Sequence, residues 1–144
     1  TERVVMPKQT RQQKYPNTDT FVYHNANPKG RVTGDCVFRD VSTALDQSWE
    51  QTVMEMAELS CKTGFALNDT KGIEKYMNQK GWKKMKQPRK PDNTKYTGNE
   101  FCKIFNGTCV ANIGGHHTVC IKNGKVHDIW DSTDGCIGNY WVKD

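Results

Sequence analysis

One cysteine, two adjacent histidines and two aspartates supply the residue types of nucleophilic acyl chemistry. Cys36 lies in "TGDCVFRDVSTAL", where Asp35 reads as a helix N-cap and Val37, Val41 and Leu45 recur at the spacing of a buried helical face. Cys36 therefore takes the first helical position. There, unpaired backbone N–H groups and the helix dipole favour a thiolate. Far downstream, His116 and His117 open "HHTVCIKNGKVHDIWDS", and Asp128 and Asp131 lie on or just beyond its return arm. A thiolate, an imidazole within hydrogen-bond reach and a group that orients the imidazole are what covalent attack on an acyl carbon requires.

The downstream stretch predicts a β-hairpin, with Asn123-Gly124 as a two-residue type I′ turn. Lys122 then faces Lys125, and counting outward sets His117 opposite Trp130. On that register His117 shares a face with Val119, Ile121, Val126, Asp128 and Trp130, whereas His116 shares the other with Cys120, His127 and Asp131. Two histidine–aspartate pairs are thus open, His117 with Asp128 and His116 with Asp131. The first pair lies on the more apolar face, which is expected to pack on the Cys36 helix, with Trp130 shielding the pair from water.

The elements that would hold these residues follow from periodicity and caps. The Cys36 helix runs to about Leu45. A second helix is expected in "SWEQTVMEMAELSCK", with Ser48 and Gln51 as a capping box and Gly64 as its stop. A third lies in "DTKGIEKYMNQKG" between the cap Asp69 and Gly81, and a short fourth begins at Thr97 with Glu100 completing another capping box. "TFVYHN" and "YWV" read as short strands, and "TCVANI" as a compact apolar one. Residues 1–18 are polar and carry Pro7 and Pro16, so an extended or flexible arm is expected there. Residues 19–144 then form one α+β domain, N-terminal helices packed on a C-terminal antiparallel sheet.

Composition narrows the class. The 144 residues suffice for one core, and no apolar run approaches the roughly 20 residues that span a bilayer. The six cysteines are scattered and include no C-x-x-C pair, which predicts reduced thiols, an intracellular, cytoplasmic setting and no structural zinc. The net charge of +5 is partly local, since "KGWKKMKQPRKPDNTK" holds seven Lys/Arg and one acid. Such a run would attract nucleic acid; it reads more simply as a solvated, Pro-containing loop.

The order of cysteine at a helix start, then histidine, then a carboxylate on the next strand resembles that of papain-like cysteine peptidases. More closely, "NPKGRVTGDCVFRDVS", "HTVCIKNGKVHDIWDS" and "GNYWVK" are similar to a family of small papain-fold proteins from Gram-positive bacteria and their phages. The likeness spans about Asn25 to Lys143. It implies a papain-like fold, Cys36 as nucleophile, His117 as general base and acid, and an aspartate of "DIWD" as orienter. The doubled His116-His117 departs from the family pattern. Counting back from Gly124 selects His117, and keeping Thr118 two places after the histidine selects His116.

The resemblance also implies an oxyanion site made by the backbone N–H of Cys36 and a preceding amide, for which Asn27 and Asn25 are the candidates. The implied activity is hydrolysis of an amide or isopeptide bond in a protein or peptide by a monomer without a cofactor. For a phage-encoded chain, the setting would be the host cytoplasm. The same residues would serve acyl transfer to an amine, as in transglutaminases, and a degenerate fold of this kind would serve binding alone.

Overall fold

Thr10, Asp35, Ser48, Asp69 and Thr97 each stand directly before a helix in the computed structural model, which describes residues 7–144. The helices are α1 (Arg11–Lys14), α2 (Cys36–Leu45), α3 (Trp49–Thr63), α4 (Thr70–Gln79) and α5 (Gly98–Ile104). Thr97 and Glu100 form the reciprocal capping box expected of them. At α3 only half of the expected box forms. Ser48 accepts the Gln51 N–H, but the Gln51 side chain turns forward to Glu55, one turn along. Gly64 closes α3 with φ of 79°, a left-handed conformation that glycine adopts without a Cβ clash.

Six strands form one mixed sheet. They are β1 (Phe21–Tyr23), β2 (Trp82–Met85), β3 (Thr108–Ile113), β4 (His117–Lys122), β5 (Lys125–Asp128) and β6 (Ile137–Lys143), in spatial order β1-β5-β4-β3-β6-β2. The four central strands are the expected C-terminal antiparallel ones. Both edges, however, come from earlier in the chain, so the sheet is neither wholly C-terminal nor wholly antiparallel. β1 runs parallel to β5, pairing Phe21 with Val126, and β2 runs antiparallel to β6. Open edges of the central meander leave backbone groups unpaired, and these two short segments cap them.

β2 also corrects part of the reading of the basic run as loop: residues 82–85 are strand, whereas residues 86–95 are irregular apart from an Arg89–Lys95 bridge. Trp82 is buried while Lys83 and Lys84 stay exposed, a pattern that an edge strand tolerates. The N-terminal arm differs from expectation as well. Thr10 and Gln13 cap α1 reciprocally, and the Arg11 Nε donates to the Ile129 carbonyl at 2.6 Å, tying residues 10–14 to the end of β5. Residues 1–6 of the expected arm lie outside the described residues.

The hairpin turn is as expected at its tip. Asn123 and Gly124 have φ of 54° and 74°, and Lys122 pairs with Lys125. Its arms are shorter than the register count assumed. Pairing of β4 with β5 ends at Cys120 with His127, so neither His117 opposite Trp130 nor His116 opposite Asp131 is a cross-strand pair. Two further bonds hold the chain at Asp128. Its carbonyl accepts the His24 N–H, and its own carboxylate accepts the Ile129 N–H at 2.7 Å.

The two faces of the sheet are covered differently from the sequence expectation. Val119, Ile121 and Val126 join Phe21, Ile113 and Ile137 in a core closed by Phe101 and Cys102 of α5. The Cys36 helix lies on the other face, where Val41 packs with Met56, Met77, Val110 and Trp141. His117 and Asp128 reach that helix from the strand ends, not from a face packed against it. Among the described residues no helix is long and apolar enough to cross a membrane.

Candidate active site

Cys36 opens α2, half-buried, with the Asp35 carboxylate turned away from the helix end it precedes. Asp35 makes no capping hydrogen bond. Its Oδ1 takes the Arg39 Nε at 2.8 Å, and its Oδ2 takes Nδ2 of Asn27 at 3.1 Å and Nε1 of Trp49 at 3.0 Å. The sequence expectation of an ordinary N-cap therefore fails at this residue. A capping side chain would occupy first-turn N–H groups; here Asp35 leaves them beside the sulfur.

His117 is the first residue of β4 and Asp128 the last of β5. The His117 Nε2 meets Asp128 Oδ2 at 2.5 Å, with Asp128 fully buried. That bond leaves Nδ1 as the ring nitrogen available to the thiol. The Trp130 ring tilts over the imidazole with centroids 4.9 Å apart. Although no longer its cross-strand partner, Trp130 thus still covers the imidazole.

The electrostatics of the pair run in one direction. Hydrogen bonding to His117 lowers the Cys36 pKa against the opposing effect of burial, helped by the Thr118 backbone and the positive charge of Arg39. Burial disfavours the imidazolium, but the bonds to Asp128 and Cys36 outweigh it and raise His117 to about 9. Both shifts run toward a thiolate beside an imidazolium.

The rival residues stand elsewhere. His116 is exposed in the turn before β4. Asp131 accepts the backbone N–H and the hydroxyl of Thr133, holding a turn instead of a histidine. Asn27 is buried near the head of α2, but its amide donates to Asp35 and its carbonyl oxygen accepts the Lys29 N–H. Asn25 binds the Arg31 carbonyl. The amides expected to help an oxyanion site are therefore engaged in shaping the loop, and the backbone group that bonds the Cys36 sulfur is that of Thr118.

Two buried residues of α2 were not singled out by the sequence reading. Arg39 bridges the Asp35 and Asp128 carboxylates, its Nη1 meeting Asp128 Oδ1 at 2.7 Å. Asp40, 1% exposed, has a carboxylate oxygen without any hydrogen-bond partner. Burial, with the nearby charge of Asp128, raises its pKa well above the usual carboxylate value. The available signal was the i,i+4 spacing of Asp35 and Arg39, which sets opposite charges on one helical face.

A groove of about 500 Å3 opens alongside. Val37 and Thr118, the residues after Cys36 and His117, line it together with Val41, Met77, Val110 and Trp141. Among the described residues no cluster of His, Cys, Asp and Glu is disposed to hold a metal ion. No protein-family model, curated protein or solved structure matches the chain.

Proposed function

We propose that the protein is a papain-like cysteine hydrolase that cleaves an amide or isopeptide bond of a peptide or protein. The observation that carries this reading is the Asp128–His117 hydrogen bond at 2.5 Å, set beside a Cys36 thiol whose pKa that same imidazole lowers. In this reading the Cys36 thiolate attacks the acyl carbon, and the carbonyl oxygen takes on negative charge near the first-turn N–H of α2. His117, held through Nε2, gives its proton to the departing amine as the C–N bond breaks and the thioester remains. Water, giving a proton back to His117, then attacks the thioester and releases the acid and the thiolate. The groove beside Val37 and Thr118 offers room for the acyl side of the substrate.

The reading is tested by the rate at which iodoacetamide alkylates each cysteine at pH 6. Cys36 is expected to react several-fold faster than the exposed Cys61 and Cys136, because a lowered thiol pKa raises the thiolate fraction at a given pH. His117→Ala is expected to abolish the difference. Equal rates at the three sites in the unsubstituted protein would overturn the proposal.

A further inference from the structure

Arg39 hydrogen-bonds Asp35 and Asp128 and not the sulfur, yet it joins the two halves of the candidate site. Cys36 belongs to α2, and the His117–Asp128 pair belongs to the sheet. Within α2 the guanidinium is anchored by Asp35, the residue directly before Cys36, through Nε at 2.8 Å. Across the gap its Nη1 holds Asp128 Oδ1 at 2.7 Å, while the other oxygen of the same carboxylate holds His117. All three side chains are at most 5% exposed. A planar guanidinium donates in two fixed directions at once, and an ammonium at one point does not.

Resting on the reading of Cys36 as nucleophile, we propose that Arg39 is a positioning residue: it sets the separation of the Cys36 helix and the His117 ring by clamping Asp35 and Asp128 on one guanidinium. Without it Asp128 would have its Oδ1 bonded only by the Ile129 N–H and would be free to rotate away from Nε2. The charges around Arg39 come from every side. Asp35, Asp40 and Cys36 face it from α2 and Asp128 from β5, and its field also reaches His24 beyond β1. Burial disfavours its cation, but the bonds to Asp128 and Asp35 prevail and raise its pKa further.

The test is the NMR titration of His117 in Arg39→Lys and Arg39→Gln, its resonance identified by its absence in His117→Asn. A clamp predicts that His117 falls from about 9 toward an ordinary imidazole as Asp128 swings off Nε2, and that the pH at which Cys36 becomes alkylated moves up with it. Loss of a nearby cation alone would instead raise the His117 pKa. An unchanged or raised His117 in a folded variant overturns the proposal. Arg39→Lys keeps the buried charge, so it supplies the readout even where Arg39→Gln does not fold. The histidine titration is read on the ring and the alkylation rate on the sulfur, so a wild-type Cys36 that reacts no faster than Cys61 would refute the hydrolase reading separately.

Discussion

Asp40 stands one helical turn after Cys36, buried among Asp128, Arg39 and Asp35, with one oxygen unpartnered. A carboxyl held protonated in the folded chain binds a proton that the unfolded chain releases at the usual carboxylate pKa of about 3.9. The folded state therefore holds more protons above that pH, and stability falls as pH rises until Asp40 itself ionises. Asp40→Asn removes this dependence. Its melting temperature relative to the unsubstituted protein is expected to climb between pH 4 and pH 8; parallel curves across that range would refute the raised pKa. At this scale the sequence was partly legible. Cys36, His117 and Asp128 could be singled out because thiol, imidazole and carboxylate are recognisable types and a hairpin register links two of them. Arg39 and Asp40 could not. Charged residues in a helix read as solvated, and only the tertiary fold shows that the sheet ends bury them.

The elements were legible where local signals are strong. Caps and stops placed α2 to α5 within a residue or two, and Asn123-Gly124 placed the hairpin. What failed were features decided by distant partners. β2, four residues long, is a strand only because the central meander leaves an edge for it, and β1, expected as a strand, takes its parallel place on the other edge for the same reason. The choice of sheet face failed for the same reason, since apolar alternation identifies two sides without naming which helix covers either. The start of α5 shows how closely such contacts fit. Gly98 and Asn99 donate to the Gly135 and Thr133 carbonyls, and a Cβ at Gly98 would stand 2.9 Å from Ile113 Cδ1 and 3.0 Å from the Thr133 backbone. Gly98→Ala is therefore expected to destabilise the fold by about 1–3 kcal/mol in urea titration, although alanine suits a helix better. A stabilised variant would show that the loop yields.

The molecule as a whole sorts its six thiols into two groups. Cys61 and Cys136 are exposed and Cys36 is half-buried, whereas Cys102, Cys109 and Cys120 are buried in the core. Burial raises Cys102 to about 11 and Cys109 to about 12, and Cys120 rises well above its ordinary value. Alkylation of the native protein at pH 8, followed by intact mass, is expected to stop at three adducts and to reach six only in denaturant. A fourth adduct forming at the rate of the third would mean that the core opens locally. The hairpin described above has a kinetic side too. His117 and Asp128 are 11 residues apart, whereas Arg39 and Asp128 are separated by 89. Closing the longer loop costs about 2 kcal/mol more chain entropy, and contacts of high sequence separation form late. A nascent or partly folded chain can thus assemble the imidazole–carboxylate pair while Cys36 is still remote. Reactivity at Cys36 is then a report on completed topology, switched on by the last long-range contacts.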